Sequence, residues 1–322
     1  MKDGMKITVN KNWKSAKPFF TVVTPVFNRH DILPRAIESI KKQSFRDFEY
    51  IIVNDGSTEN LDDIIIPFMD ETNLPVMYIK KPNGGVHTAR NAGITQARGI
   101  LIAWLDSDDE FVPDTLAVFK KEWEKIPKES WNDYFQVAAR MKESNGKEGT
   151  LFPDDINELG RKEAYRVFHK KKTENLETQR VSVMKENMWP EPEGITFVPE
   201  KNIWLKLEKK YKTWFTNEIL LIYHTEGIDH VFHSEKKKDV QYVRNSLWGF
   251  ASQLNDWDLI EKPSVFFDNV FKYAIFRKVL KHFEPMPVDG RYELKKPIVK
   301  FLVAILCIPA WFAARVYIRK KM

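Results

Sequence analysis

Phe19-Phe20-Thr21-Val22-Val23-Thr24, closed by Pro25, is the short apolar run that a buried strand leaves in a sequence. Behind it, Ile32, Leu33, Ala36, Ile37 and Ile40 recur at helical spacing with charged residues between them, which predicts an amphipathic helix laid against that strand. The alternation then repeats. Phe48 to Val53 reads as a strand and Leu61 to Met69 as a short helix. Val76 to Ile79 reads as a strand, and His87 to Ala97 as a helix with small residues Ala89, Ala92 and Gly93 on its surface. Ile100 to Leu105 is a further strand, and Pro113 opens a helix striped by Leu116, Phe119, Trp123 and Ile126. This order predicts an α/β domain with a Rossmann-like, mostly parallel sheet flanked by helices.

Further along the pattern loosens. Tyr134 to Met141 and Ile219 to His224 read as strands, and Ile203 to Lys210 and the basic stretch Arg161 to Lys172 as helices. Beyond about His230 the pattern is wholly helical. The expected organisation is one α/β domain over 17–228 and a helical extension over 229–322.

The 322 residues are 43% hydrophobic and 13% aromatic, enough to bury a core and exclude a disordered chain. The net charge of +6 is interleaved with acids, as in the KKEWEKIPKE stretch from Lys120, and reads as a solvated surface. No nucleic-acid partner is expected. Cys307 is the single cysteine, so no intramolecular disulfide can form. The start, MKDGMKITVNKNWK, lacks the apolar stretch of a secretory signal, which points the main body to the cytoplasm.

Ligands of parallel α/β sheets bind beyond the carboxyl ends of the strands. After the first strand come Thr24-Pro25-Val26-Phe27-Asn28-Arg29, after the second Asn54-Asp55-Gly56-Ser57-Thr58, and after the Ile100 strand Asp106-Ser107-Asp108-Asp109. These clusters are expected on one sheet edge. Asp106 and Asp108 flank a single residue, and a divalent cation is a natural way to keep both ionised; alternatively Asp106 or Asp109 caps the turn before the next helix. Asp55 is either a base or ribose acceptor or a plain turn residue, and Asn28 either a pocket residue or a helix cap. Asn83-Gly84-Gly85 reads as a loop over a bound donor. No G-x-G-x-x-G follows the first strand, and neither G-x-x-x-x-G-K-[ST] nor G-x-S-x-G occurs. Those absences disfavour a nicotinamide enzyme, a P-loop ATPase and an α/β-hydrolase.

In this order, the Thr24–Arg29, Asn54–Thr58, Asn83–Gly93 and Leu105–Asp109 motifs make the chain resemble the family 2 glycosyltransferases of the type A fold. The resemblance is close from Phe19 to Val118 and looser to about Glu226. It implies an inverting glycosyltransferase that moves a sugar from a nucleotide sugar, as a rule a UDP-sugar, onto a saccharide or lipid-linked glycan acceptor in cell-surface polysaccharide synthesis. Thr24, Pro25 and Asn28 would line the nucleotide pocket, Asp55 would bind the base, and Asn83 and Arg90 would sit near the donor. Asp106 and Asp108 would form the D-x-D motif holding Mn²⁺ or Mg²⁺, with Asp108 ahead of Asp106 as direct ligand. His224 would be a third metal ligand or a diphosphate contact, or else a packed strand-end residue. The family's Glu-Asp pair for the catalytic base is missing here, and Glu200, with Glu193 in reserve, stands nearest its place. That departure keeps open an alternative, a catalytically silent nucleotide-sugar-binding partner of another transferase. No Gln-x-x-Arg-Trp occurs, which disfavours a processive synthase.

At the other end, Phe301 to Ala314 is uninterruptedly apolar and contains Pro309, with Lys295, Lys296 and Lys300 before it and Arg315, Arg319, Lys320 and Lys321 after. The run is shorter than the ~20 residues that span a bilayer and basic on both sides. It is expected to make 297–322 a membrane-associating segment, with the protein peripheral at the inner face of the cell membrane.

Overall fold

The computed structural model describes residues 4–13, 17–152, 158–159, 175–224, 239–256 and 263–321. It forms two compact units, one of Met1–Trp189 with Leu207–Glu226, the other of Pro190–Lys206 with Gly227–Met322.

The first unit is built on a ten-stranded sheet. Its strands are β1 (Lys6–Val9), β2 (Phe20–Val26), β3 (Phe48–Asn54), β4 (Val76–Lys80), β5 (Leu101–Trp104), β6 (Glu110–Phe111), β7 (Tyr134–Glu143), β8 (Glu158–Leu159), β9 (Leu176–Arg180) and β10 (Lys212–Tyr223). The order across the sheet is β1-β4-β3-β2-β5-β9-β7-β10-β6, with β8 also pairing β10. Strands β4, β3, β2 and β5 are mutually parallel, and β10 is parallel to β7. β9 is antiparallel to both β5 and β7, and β1, β6 and β8 also pair antiparallel. The sheet is therefore mixed, which corrects the mostly parallel expectation: the parallel block ends where β9 enters between β5 and β7. The expected helix Arg161 to Lys172 lies outside the described residues.

Four helices follow the parallel strands, α1 (Leu33–Lys41), α2 (Asp62–Glu71), α3 (Val86–Gln96) and α4 (Thr115–Lys125). Helix α3 packs on strands β2 and β3, which are buried along their whole length, while α4 packs on β7 and β10. The one acid inside β3, Glu49, is fully buried and fully engaged. It accepts from the Thr21 hydroxyl at 2.7 Å and from Arg98 through its backbone N–H at 2.8 Å and Nε at 2.7 Å.

Helix α3 carries the small residues foreseen, and the reason is close approach. A Cβ on Gly93 would stand 2.5 Å from Cγ1 of the fully buried, β-branched Val23. Gly93→Ala is expected to destabilise by about 1 kcal/mol net, because overpacking (about 1–3 kcal/mol) outweighs the helix-propensity gain of about 1 kcal/mol. A lower urea midpoint checks this, and a raised one refutes it.

The second unit contains α6 (Lys201–Leu207), α7 (Val240–Asn255), α8 (Pro263–Phe283), α9 (Pro297–Ile305) and α10 (Cys307–Lys321), α5 (Val181–Glu186) belonging to the first. Asp239 caps α7 by accepting from the Tyr242 N–H at 2.7 Å, and the Arg244 guanidinium grips the Glu284 carboxylate with two nitrogens. The segment Pro190–Lys206, expected in the α/β domain, belongs here instead. Gln241 donates to the Gly194 carbonyl at 2.9 Å, Asn245 exchanges hydrogen bonds with Thr196, and Arg291 meets Glu193 at 3.3 Å.

Candidate active site

The register of the parallel block sets where the three polar clusters fall. Val26 pairs with Asn54, Asn54 with Lys80, and Val23 with Trp104, so β2, β3, β4 and β5 all finish at one edge of the sheet. Pro25 lies beyond the last β2–β5 pair, so its missing N–H breaks no ladder with that neighbour. Thr24 is buried in β2 and accepts from the Tyr50 hydroxyl at 3.0 Å.

The loops beyond that edge are stitched together by side chains. Asn28 adopts a left-handed φ of 52°, which asparagine tolerates better than most residues. Its Oδ1 accepts from the Thr58 N–H at 2.9 Å, and its own N–H donates to the Ser57 hydroxyl at 3.0 Å. Asp55 ties the second loop to a third. Its buried carboxylate accepts from the Gly84 N–H at 3.1 Å, the Gly85 N–H at 2.8 Å, the Asn83 amide at 3.3 Å and the Lys81 ammonium. Asn83 also donates to the Asp55 carbonyl at 2.8 Å. Gly56, at φ 74°, has no room for a Cβ, which would stand 2.5 Å from the Asn83 nitrogen.

Beneath these loops runs a polar chain that sequence reasoning missed. The Asn54 amide donates to the Tyr78 hydroxyl at 3.1 Å, that hydroxyl donates to Asp62 at 3.1 Å, and Lys80 pairs with the same carboxylate. Burial pushes the Tyr78 phenol up from 10.0 to about 12, with the Asp62 charge adding to it, and burial raises Tyr50 as well. Below pH 10 both phenols are protonated, folded or unfolded, and their contribution is fully present. As pH climbs from 10 towards 12 the unfolded chain ionises first and that contribution is lost. Stability is expected to fall over that window by on the order of 2 kcal/mol for Tyr78, and Tyr78→Phe should flatten the fall. A pH–stability slope unchanged in that variant would sink this assignment.

The fourth motif is held from α3. Arg90 on that helix is buried, its guanidinium 5.7 Å from the centre of the Trp104 ring and 5.8 Å from that of Trp189, and one nitrogen reaches Asp106 at 3.2 Å. Its neighbour Asn91 fixes Trp189 by a reciprocal pair, accepting from the Trp189 N–H at 2.9 Å and donating to its carbonyl at 2.8 Å. Trp104 in turn donates to Gln179 of β9 at 2.5 Å. The Asp106 side chain is 49% exposed, and Asp108 is half-buried with its carbonyl taken by Arg35 of α1. A half-exposed carboxylate such as that of Asp106 at the end of a strand suits a hard cation that completes its shell from phosphates and water.

The structure does not join His224 to that pair. Its Nε2 lies 2.7 Å from Glu110, and its N–H donates to Asp109 at 3.2 Å. Among the described residues no three His, Cys, Asp or Glu side chains group to hold a metal ion. Glu193 and Glu200 lie in the other unit, Glu193 exposed beside Arg291 and Glu200 half-buried at the start of α6. Besides that polar chain and Tyr50, the structure engages Arg35, Lys81, Trp104, Gln179 and Trp189 unforeseen; of these only Lys81, in the turn before Asn83-Gly84-Gly85, had a local signal.

Residues 21–176 match the model of the glycosyl transferase family 2. A chondroitin synthase of Pasteurella multocida is 36% identical over 108 residues, 34% of this chain and 11% of that protein. A putative teichuronic acid biosynthesis glycosyltransferase of Bacillus subtilis is 37% identical over 107 residues, 33% of this chain and 40% of that protein. The matched stretch thus spans well under two thirds of these relatives. Among solved structures, the fold is similar to S. aureus TarS 1–349 in complex with UDP-GlcNAc, at TM-score 0.55 and 17% identity over 94% of this chain and 90% of that one. It is equally similar to the mannosyltransferase PcManGT of Pyrobaculum calidifontis in complex with GDP-Man and Mn²⁺, at TM-score 0.55 and 15% identity over 99% and 89%. The fold is that of the type A glycosyltransferases, with helices at its C-terminal end.

Proposed function

From a chain that carries a glycosyl transferase family 2 domain over residues 21–176, we propose an inverting, metal-dependent transferase that moves a sugar from a UDP-sugar to a saccharide or lipid-linked glycan acceptor in surface-polysaccharide synthesis. The observation that carries this reading is the convergence, in register, of the β2, β3, β4 and β5 ends on one edge, with Asp106 and Asp108 at its mouth. The complex of TarS with UDP-GlcNAc and the teichuronic acid relative support the uridine donor and the polymer.

Within this reading each residue of the edge has a task. Thr24 and Pro25 wall the nucleotide pocket, and Asp55 and Asn28 hold the loops that frame it. Asp106 and Asp108 would hold Mn²⁺ or Mg²⁺, which neutralises charge on the departing diphosphate when bound. Arg90 fixes the Asp106 carboxylate and lends positive charge to the same place. The acceptor hydroxyl needs a carboxylate base, and the resemblance assigns that role to Glu200, with Glu193 in reserve.

Release of free nucleoside diphosphate from a panel of UDP- and GDP-sugars, with Mn²⁺, Mg²⁺ or EDTA, tests the proposal. Metal-dependent release from one UDP-sugar is expected, lost in Glu200→Gln and kept in Glu193→Gln. Release from GDP-sugars alone would overturn the donor. Calorimetry that finds no metal-dependent binding of UDP or GDP would overturn the site.

A further inference from the structure

The last two helices are inside out. In α10 the described residues that are buried are small, Ala310 and Ala314, while Trp311, Phe312 and Val316 are exposed. In α9 only Val299 is buried, and Ile298, Phe301 and Ile305 form an exposed stripe at i, i+3 and i+7. A helix meant to face water carries its large apolar residues inward. Here they face out, Phe301 and Phe312 each at 61% exposure, although the same unit buries Val243, Leu247, Leu254 and Leu280 in an ordinary core. Tyr317 shows where the protein side lies, with its ring 5.5 Å from that of Phe276 on α8.

Charge identifies what covers this face. Lys295 to Met322 contains seven Lys/Arg and no Asp/Glu; as the whole chain is +6, everything before Lys295 is −1. All of the excess positive charge sits on the element with the exposed apolar stripe. Lys300, Arg315 and Arg319 are exposed along it, and the Arg315 guanidinium lies 4.2 Å from the Trp311 ring centre. A long basic side chain laid on an aromatic ring keeps its head in the polar layer while its stem and the ring stay apolar.

Geometry says how that face meets lipid. No single helix among the described residues is long and apolar enough to cross a bilayer, and α9 and the following Pro309–Arg319 are bent by 71° to each other. At 1.5 Å per residue α9 and α10 are only about 14 and 22 Å long, against an apolar core of about 30 Å. Pro309, which has no N–H to donate, sits in the first turn of α10 just past the bend.

We infer that α9 and α10 form a bent two-helix wedge that lies in the plane of an anionic lipid surface, apolar stripe in the acyl boundary and Lys300, Arg315 and Arg319 among the headgroups. This inference uses none of the donor-site residues and stands apart from the transferase reading.

The test is co-sedimentation of the full chain with vesicles of phosphatidylcholine, with or without phosphatidylglycerol. Phosphatidylglycerol is expected to raise binding by about tenfold or more, and high salt to release the protein. The double variant Phe301→Ser/Phe312→Ser should lower binding by about tenfold or more, with its melting temperature kept because both side chains are exposed. A protease added outside the vesicles should still remove a C-terminal tag. Equal binding to both lipids, or unchanged binding in the double variant, would overturn the inference. A protected tag would mean a crossing segment, and a wild-type dimer without lipid that the variant disperses would mean that a second copy covers the face.

Discussion

Asp108→Ala is expected to lower kcat/KM for sugar transfer by on the order of 10³, about 4 kcal/mol of transition-state stabilisation, while the melting temperature stays close to that of the wild type. The side chain is half-buried at the mouth of the site, so its loss leaves no large cavity. On the proposed reading, what goes is one of the two carboxylates that would hold the cation. Asp106 is already shared with Arg90 at 3.2 Å, so it would replace the lost oxygens poorly. Asp106→Asn should cost less, about 10²-fold, and should raise the Mn²⁺ concentration needed for half-maximal rate. Initial rates of nucleoside diphosphate release across a Mn²⁺ titration read both variants. A rate for Asp108→Ala within about threefold of wild type, at saturating metal, would remove Asp108 from the chemistry.

Asp55→Ala is expected to have the largest effect on stability, about 3–5 kcal/mol. The carboxylate and the Lys81 ammonium are 4% and 8% exposed, so removing the acid strands a buried charge. It also orphans the Gly84 and Gly85 N–H groups and loosens the loop that leads into α3. The double variant Asp55→Ala/Lys81→Met should recover part of the loss, because no lone charge is left behind. Urea unfolding of the single and double variants decides the matter. If Asp55→Asn keeps wild-type stability yet abolishes nucleotide binding, the carboxylate serves the base and not the loops.

These two acids mark how far the sequence could be read. Asp106 and Asp108 were legible as closely spaced carboxylates after a buried strand, a pattern that suits a turn or helix cap as well as a cation, and only their order with the other motifs pointed to a cation. Asp55 was legible as a position, but its partners Lys81, Asn83, Gly84 and Gly85 are 26 to 30 residues away and meet it only because β3 and β4 end in register. His224 was ambiguous in the sequence. A histidine at a strand end reads either as a ligand candidate or as a packed residue, and the pairing of β10 with β6 sets it beside Glu110.

The sequence by itself determined the α/β alternation from Phe19 to Ile126, because hydrophobic period and turn residues are local properties of the chain. It also determined the three polar clusters at strand ends and the apolar, basic C-terminal run. Only the tertiary structure decided the mixed sheet. Strand β9, Leu-Glu-Thr-Gln-Arg, lies at the sheet's centre with no apolar run to announce it. Thr178 and Gln179 are fully buried there because Trp123 donates to Thr178 at 2.9 Å and Trp104 to Gln179 at 2.5 Å. A polar residue can sit in a core when distant partners satisfy it, and those partners are 55 and 75 residues away. The same limit hid the inside-out face of α9 and α10. Composition told that the segment is apolar and basic, but which side chains turn outward depends on what the rest of the unit packs against.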